Sequence, residues 1–218
     1  MRRCVLVANG NWQNPEWHAK QLRENDFLVG IDGGAQHLYQ LGRLPDLVVG
    51  DLDSLDAEVA RELKAGGCQF VVYPPEKDLT DTQIALDLVK QRGFRDILLL
   101  GALGCRIDHL LSNLFSLVPL VNDGMRIKLA DPEQSLWLFP NNELKIEGVP
   151  GQVVSLLALT PVTGITTNGL KYPLQDATLD PFCPYAISNE LIGNKAKVSW
   201  SKGVLLGVCF SRPNHDYI

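Results

Sequence analysis

Short apolar segments and amphipathic segments alternate along the first 130 or so residues of the chain. The apolar segments, which predict strands, are Cys4–Ala8, Phe27–Ile31, Leu47–Val49, Gln69–Tyr73 and Ile97–Leu100, with Arg126–Ala130 as the last strand of this half. Helices are predicted between them. Strands that are apolar throughout and separated by helices are buried on both faces, which is typical of a parallel sheet. We therefore predict an α/β domain with a mostly parallel, Rossmann-like sheet.

Capping signals set the bounds of several of these helices. Asn14-Pro15 has the residue types of an N-cap followed by the first helical position, and predicts a helix that continues to about Asn25. Thr80 and Gln83 have the spacing of a capping box. The other helices are predicted from Ala35 to a stop at Gly42, over Leu55–Lys64 and from about Asp108 to Val118.

The pattern changes after Pro132. Short apolar or alternating segments, split by Gly, Pro and Asn, predict strands at Ser135–Phe139, Glu143–Ile146, Gln152–Leu159, Thr163–Thr167, Ala186–Leu191, Ala196–Trp200 and Val204–Phe210. The last two are predicted to form a hairpin through Ser201-Lys202-Gly203. We predict a β-sandwich domain over residues 133–218 after an α/β domain over residues 1–132, with Arg212–Ile218 as a loose tail.

Composition and charge exclude several classes of protein. The 218 residues are 45% hydrophobic and 21% charged, as in ordinary globular proteins, and no segment is long enough for a membrane span. A net charge of −5 argues against a nucleic-acid partner. The five scattered cysteines favour a reducing compartment, and the first apolar run is too short for a signal peptide, so we expect a cytoplasmic protein.

Acidic residues follow the predicted strands of the first half. Asp51 and Asp53 come directly after the strand Leu47–Val49 and Gly50, and Asp32 follows the strand before it. The other carboxylates and the one arginine at these strand ends are Asp78, Asp81, Arg106 and Asp108. Because the carboxyl ends of parallel strands meet at one edge of a sheet, we expect all seven side chains to share one crevice.

So many carboxylates in one crevice would repel each other unless cations lie among them. Mg²⁺ binds a few carboxylates together with substrate phosphates. Nearby glycines, among them Gly33 and Gly34, let a backbone approach phosphate closely, and Arg106 suits a phosphate group. The pattern indicates a Mg²⁺–nucleotide site.

Each acidic residue also has a purely structural interpretation. Asp53 or Ser54 would serve as an N-cap, Asp81 would complement a helix dipole, and Asp108 would cap the following helix. Asp32-Gly33-Gly34 would be only a turn. His37, His109, Trp12 and Trp17 are interpreted as packing or helix-start residues. No P-loop and no G-x-G-x-x-G is present, which disfavours a conventional kinase or dehydrogenase.

Taken together, these motifs resemble those of the thiamine pyrophosphokinase family. The similar segments in the first half are IDGGAQHL, LPDLVVGDLDS, KDLTDTQIAL and GALGCRIDH. In the second half they are GITTNGLKYPL and ISNE. The resemblance covers nearly the whole chain in order.

The resemblance implies a reaction and a role for each matching residue. The family transfers a diphosphate from ATP to the hydroxyl of thiamine, giving thiamine diphosphate and AMP, and works as a homodimer. Asp51, Asp53 and Asp81 correspond to Mg²⁺ ligands. The residues that match the family's nucleotide, phosphate or thiamine contacts are Asp32, Gly33, Gly34, Asp78, Arg106 and Asp108. The residues that match the family's thiamine contacts are Thr166, Thr167, Ser188 and Asn189.

Three positions depart from the family pattern, Cys105, Gln83 and Gln36. The aromatic residue that covers thiamine in some members has no counterpart at Leu205–Gly207, and Trp200 is a weak substitute. Two alternative functions remain open: another Mg²⁺-dependent phosphoryl or pyrophosphoryl transferase acting on a different alcohol, and a non-catalytic thiamine- or nucleotide-binding module.

Overall fold

The computed structural model describes residues 2–74, 76, 78–104, 106–140 and 142–213. The chain forms two compact units. Unit 1 contains the residues up to Ser116 together with Leu129–Pro132, and unit 2 contains Leu117–Lys128 together with the residues from Glu133 on. The single boundary between residues 132 and 133 stays a prediction.

Unit 1 is built on a parallel sheet of five paired strands with the order β5-β1-β2-β3-β4. This confirms the predicted parallel sheet. Its elements in chain order are β1 (Cys4–Val7), α1 (Pro15–Gln21), β2 (Phe27–Ile31), α2 (Gly34–Gln40), β3 (Leu47–Gly50), α3 (Ala57–Ala65), β4 (Gln69–Val72), α4 (Asp81–Gln91) and β5 (Asp96–Leu100). Two further elements, α5 (Ile107–Asn122) and β6 (Arg126–Ala130), are divided between the units.

Burial explains why these segments are strands and helices. All four residues of β1 and of β3 are buried, as expected for strands covered on both faces. Strand β4 is at the edge of the sheet and is only partly covered, with Val72 58% exposed. The helices contribute apolar faces such as Leu38 of α2 and Leu63 of α3, both fully buried.

The predicted caps of two helices are confirmed. Asn14 is the N-cap of α1 and accepts a hydrogen bond from the Trp17 N–H, with Pro15 as the first helical residue. In α4 the Thr80 hydroxyl and the Gln83 side chain make the reciprocal bonds of a capping box. These bonds join residues three apart in sequence, so the local pattern is sufficient to predict them.

Two predicted helix ends are wrong. Helix α1 ends at Gln21 rather than near Asn25, at a turn where the buried Asp26 carboxylate accepts a hydrogen bond from the Arg23 N–H at 2.7 Å. Helix α5 continues past Val118 to Asn122, and the carbonyl of Pro119 accepts from the Asp123 N–H at 3.0 Å. Proline lacks an N–H but its carbonyl still serves the next turn. No helix in the described residues has the length and hydropathy needed to span a membrane.

Unit 2 is rich in β-structure and its strands belong to two groups of antiparallel pairs. Its strands are β7 (Gln134–Leu138), β8 (Glu143–Glu147), β9 (Gln152–Ala158), β10 (Val162–Asn168), β11 (Ala177–Leu179), β12 (Asn189–Glu190), β13 (Lys195–Ser199) and β14 (Leu205–Pro213). The first group has the order β12-β9-β14-β7, and the second has the order β11-β10-β13-β8. Side chains from both groups form one apolar core that includes Ile146, Val154, Ile165 and Val198.

The predicted hairpin between β13 and β14 is wrong. β13 pairs with β8 and β10, whereas β14 pairs with β7 and β9, so the two consecutive strands belong to different sheets. The buried Trp200 anchors the connection, because its indole N–H donates to the Gly203 carbonyl at 3.1 Å. Gly203 has φ +96°, which a non-glycine residue rarely adopts.

The predicted strands differ from the structure at three other places. The strand predicted over Ala186–Leu191 is reduced to Asn189–Glu190, since Ser188 has a left-handed backbone with φ +56°. Strand β11 was not predicted. Of the predicted tail, Arg212 and Pro213 belong to β14, and the rest lies outside the described residues.

Candidate functional site

The carboxyl ends of the parallel strands meet at one edge of the unit 1 sheet, as the strand register requires. Val7 pairs with Gly30 on one side and with Leu100 on the other, and Gly50 pairs with Val72. A cavity of about 940 Å³ lies at this edge. Its charged and polar lining residues are Asn9, Asn11, Gln13, Asp32, Asp51, Ser54, Thr80, Asp81, Thr82, Arg106, His109 and Asn113.

The cavity includes the point where the strand order reverses. The order runs from β1 through β4 in one direction, and β5 then returns to the other side of β1. Ligands of open α/β sheets bind at such switch points. The two loops there pack backbone to backbone, because a Cβ at Gly10 would lie 2.0 Å from the Gly101 carbonyl oxygen.

Three carboxylates converge within the site. Asp32, Asp51 and Asp53 each offer an oxygen that lies within 4.8 Å of the other two. Asp32 follows β2 with a left-handed backbone at φ +50°, and its amide donates to the Val49 carbonyl at 2.8 Å. Gly50 allows this approach, because a Cβ there would lie 3.0 Å from the Asp32 Cβ.

The turn between Asp51 and Asp53 is held by local hydrogen bonds. Leu52 has φ +67°, and the Asp53 N–H donates to Asp51 Oδ1 at 3.2 Å. The N-cap of α3 is Asp56, which accepts from the amides of Glu58 and Val59. The interpretation of Asp53 or Ser54 as that N-cap is therefore wrong.

The surroundings of Asp32 shift the pKa of its carboxyl. Burial raises the pKa of the Asp32 carboxyl, and the neighbouring Asp53 charge raises it further, while hydrogen bonds from Ser54 and Gly33 oppose the shift. Asp32 Oδ1 is buried and accepts no hydrogen bond from the described residues. A cation among the three groups would supply the missing partner and reduce their repulsion.

The three carboxylates therefore fit a divalent cation. They are hard oxygen ligands at mutual distances that one ion can bridge, and one oxygen of Asp32 is buried without a hydrogen-bond partner among the described residues. Among the predicted metal ligands, Asp51 and Asp53 belong to this group, and Asp81 lines the same cavity. Asp32 joins them, although the resemblance assigns it to substrate contacts. Which of the four binds metal stays a prediction.

Asp81 and Asp78 lie in different surroundings. Asp81 is the first residue of α4 and lines the cavity with Leu79, Thr80 and Thr82. Asp78 is exposed, and the lining residues of this segment begin at Leu79. Of the acidic residues expected in one crevice, Asp32, Asp51 and Asp81 line this cavity, whereas Asp53, Asp78 and Asp108 are not among its described lining residues.

Arg106 and Asp108 form an ion pair at the start of α5. The Arg106 Nε donates to Asp108 Oδ1 at 3.2 Å, and both side chains are largely exposed. The Arg106 hydrogen bond lowers the pKa of Asp108 to about 2, and the same contact raises the pKa of Arg106. Arg106 lines the cavity, whereas Asp108 is not among the described lining residues. Asp108 lies inside the first helical turn rather than at an N-cap.

Several lining residues were missed by the sequence reasoning. His109 and Asn113 line the cavity beside the predicted Arg106, and their spacing of four places both on one face of α5. That spacing in the sequence could have identified both residues as members of the site. Asn9 and Asn11, in the loop after β1, also line the cavity. Their role depends on the pairing of β5 with β1, which no local sequence pattern indicates.

Gly33 and Gly34 are required for close packing at the start of α2. A Cβ on Gly34 would lie 1.9 Å from the Val7 carbonyl oxygen, and one on Gly33 would lie 2.5 Å from the Asn9 Cγ. Their predicted contact with nucleotide stays a prediction. Cys105, one of the departures from the family pattern, lies outside the described residues.

The predicted packing residues form one aromatic cluster. The Trp12 ring is stacked on His18 and on His37, and Trp17 contacts His18 edge-on. This confirms the packing interpretation of Trp12, Trp17 and His37.

In unit 2 the predicted thiamine residues hold one loop in place. Thr166 Oγ1 accepts from the Asp176 N–H at 3.3 Å, and Thr167 Oγ1 accepts from the Leu174 N–H at 2.8 Å. The buried Asn189 amide accepts from the Tyr172 N–H and donates to the Tyr172 carbonyl. These three side chains are therefore engaged with the loop that carries Tyr172.

Ser188 and Trp200 differ in their exposure. Ser188 is exposed, and its amide donates to the Ser155 hydroxyl at 3.0 Å. Trp200 is buried in the core of unit 2, so its ring has little surface to offer a ligand. The weak candidacy of Trp200 as a cover for thiamine is not supported by this packing.

Comparison with known proteins extends over both units. Residues 18–129 match the sequence model of the thiamin pyrophosphokinase catalytic domain, and residues 141–205 match that of the thiamin pyrophosphokinase vitamin B1 binding domain. The thiamine pyrophosphokinase of Bacillus subtilis is 31% identical over 185 residues, which cover 84% of this chain and 86% of the relative.

Solved structures give the same result. The crystal structure of the Bacillus subtilis enzyme has a TM-score of 0.84 at 28% identity, covering 97% of this chain and all of the other. The thiamin pyrophosphokinase structure from Geobacillus thermodenitrificans has a TM-score of 0.81 at 30% identity, covering 97% of this chain and 99% of the other. The α/β unit with its acidic cavity, the β-rich unit and these matches lead to one conclusion: the chain belongs to the thiamin pyrophosphokinase family.

Proposed function

We propose that this chain transfers a diphosphate group from ATP to the hydroxyl of thiamine, giving thiamine diphosphate and AMP. The observation that carries the proposal is the convergence of Asp32, Asp51 and Asp53 at the carboxyl edge of a parallel sheet, in a chain of this family. A polyphosphate bound there would need both a cation and donors for its oxygens, and the cavity has groups suited to each.

The proposed metal is Mg²⁺, held by Asp51 and Asp53 with Asp32 and Asp81 as the further candidate ligands. When bound, Mg²⁺ would neutralise phosphate charge and orient the oxygens of the transferred group. The protein's own part is to hold these carboxylates close together. The backbone turn at Leu52 and the absence of a side chain at Gly50 support that arrangement.

Other residues of the cavity act on the substrates. Phosphoryl-transfer transition states are loose and rich in charge, so positioning and electrostatics contribute most of the rate. Arg106, which is exposed and lines the cavity, would bind a phosphate oxygen, and Asp108 would orient its guanidinium. Asp78, three residues before Asp81 and outside the described cavity lining, is the candidate acceptor for the thiamine hydroxyl proton that the family resemblance suggests.

The finer assignments of the two halves are also proposals. Residues 1–132 would form the nucleotide- and Mg²⁺-binding catalytic domain, and residues 133–218 a β-sandwich that binds thiamine and forms a homodimer. Thr166, Thr167, Ser188 and Asn189 would contribute to the thiamine pocket, the threonines and Asn189 by holding the Tyr172 loop. We place the enzyme in the cytoplasm.

One assay tests the reaction. The purified chain is incubated with ATP, thiamine and Mg²⁺, and the products are identified by chromatography and mass spectrometry. We expect thiamine diphosphate and AMP in equal amounts, and no product when EDTA removes the metal. Production of ADP with thiamine monophosphate, or no turnover by a folded protein saturated with both substrates, would contradict the proposal.

A further inference from the structure

The loop between β1 and α1 connects the cavity of unit 1 to the apolar core. The loop residues that line the cavity are Ala8, Asn9, Gly10, Asn11 and Gln13. Trp12, between two of them, is not among the described lining residues. Its side chain instead packs against the apolar cluster that includes Leu28 and Leu98. The position of this wall of the cavity therefore depends on how Trp12 is held.

Two histidines from different helices hold the indole of Trp12. His18 belongs to α1 and His37 to α2, and both imidazoles are stacked on the indole with planes inclined by 8° and 4°. We call these three residues the Trp12 stack. His18 is fully buried and His37 is partly buried, so the stack fixes the loop to both helices from inside the protein.

Ring contacts alone hold the indole among the described residues. The Trp12 indole N–H is buried and makes no hydrogen bond to any of them. Each aromatic pair of this kind shifts an equilibrium by about two- to tenfold. Another flat ring at position 12 should therefore keep most of the effect, whereas an aliphatic side chain should lose it.

The loop also lies close to the backbone that carries the acidic group. A Cβ on Gly33, the residue after Asp32, would lie 2.5 Å from the Asn9 Cγ. On the other side, a Cβ on Gly10 would lie 2.0 Å from the Gly101 carbonyl oxygen. With so little space on either side, release of the loop would change the shape of the cavity next to Asp32.

We propose that Trp12 is a positioning residue for the substrate ATP, because its stack on His18 and His37 keeps the loop in the conformation that forms one wall of the cavity. The inference rests on the proposed function for the identity of the substrate. A loop released from the stack is competent to bind for only part of the time, and the apparent affinity falls by that fraction. Once ATP is bound, the wall is complete, so kcat depends little on Trp12.

The test separates positioning from general core packing. The kinetic constants and the free energy of unfolding are measured for the parent, Trp12→Leu, Trp12→Phe and Trp17→Leu. Trp17 is the matched control, because its indole packs against the same apolar cluster and contacts His18 edge-on but does not belong to the loop.

We expect Trp12→Leu to raise KM for ATP by about three- to tenfold, the factor for lost ring contacts, with kcat within about twofold of the parental value. Trp12→Phe should restore most of the parental KM. Trp17→Leu should lower the free energy of unfolding but leave KM for ATP unchanged. A parental KM in folded Trp12→Leu, or an equal rise in Trp17→Leu, would overturn the inference.

Two further measurements keep the outcomes distinct. Should Trp12→Leu fail to fold, His37→Leu removes one ring of the stack at a partly exposed position and is expected to raise KM for ATP by at least about twofold. Parental KM in that variant would equally overturn the inference. Calorimetric binding of ATP without thiamine requires no turnover, so absent turnover with ATP affinity that still depends on Trp12 would reject only the proposed reaction.

Discussion

The indole ring of Trp12 is stacked on the imidazole of His18, with ring centroids 3.7 Å apart and planes inclined by 8°. His37 is stacked on the same indole at 4.6 Å. His18 is fully buried, and this burial, with a smaller effect of the neighbouring His37, lowers the pKa of His18 to about 4. The cluster therefore supports the loop after β1 with an uncharged histidine.

This burial predicts a loss of stability in mild acid. Below about pH 6.5 the unfolded chain binds a proton at His18 that the folded protein binds only near pH 4. The free energy of unfolding should therefore fall between these pH values, by about 1–3 kcal/mol from this group. Urea denaturation at pH 7.5 and 4.5 measures the effect. His18→Phe, which keeps the ring but not the titration, should show a smaller decrease; an unchanged pH dependence would contradict the assignment.

Removing one carboxylate of the acidic group should abolish most activity without unfolding the protein. Asp51→Asn keeps the shape of the side chain but removes its charge, and we expect roughly a hundredfold or greater loss of kcat, by analogy with other preorganised electrostatic groups. The measurement is the rate of AMP formation with thiamine at saturating Mg²⁺. Asp87→Asn, on the exposed face of α4, is the matched control and should retain the parental rate. Equal rates for the two variants would remove Asp51 from the site.

A methyl group at Gly50 should displace Asp32 and so disturb the three-carboxylate group. The added Cβ would lie 3.0 Å from the Asp32 Cβ, at a residue with φ +151°. We expect Gly50→Ala to lower the free energy of unfolding by about 1–3 kcal/mol and to weaken Mg²⁺ binding measured by calorimetry. Gly193→Ala, at a position with open space around the new Cβ, should change neither quantity. If Gly50→Ala binds Mg²⁺ with the parental affinity, the contribution of Asp32 to metal binding does not depend on this close approach.

Asn189 should contribute to the stability of the fold as well as to thiamine binding. Its side chain accepts from the Tyr172 and Glu190 amides at 3.0 and 2.9 Å and donates to the Tyr172 carbonyl at 2.7 Å. Asn189→Ala leaves these partly buried backbone groups without their partner, and we expect the free energy of unfolding to fall by about 1–3 kcal/mol in the absence of thiamine. The exposed Asn168→Ala is the control for an asparagine lost from this unit. A variant of parental stability that loses only thiamine affinity would show that Asn189 acts on the ligand alone.

Part of the site was accessible from the sequence because it depends on strand ends. Apolar strands separated by helices predicted a parallel sheet, and a parallel sheet brings the residues after each strand to one edge. Asp32, Asp51 and Asp81 were found there for that reason. Asp78 and Asp108 also follow strands, but their exposed side chains lie outside the described lining residues, since loop geometry decides where such groups point.

Local interactions were determined by the sequence alone: the cap at Asn14, the capping box of Thr80 and Gln83, and the alternation of strands and helices all depend on residues a few positions apart. Tertiary structure decided which strands are neighbours. It put β5 beside β1, which created the switch-point cavity, and it assigned β13 and β14 to different sheets. Strand pairing joins residues far apart in the chain, so it depends on how whole faces pack and leaves no local pattern to read.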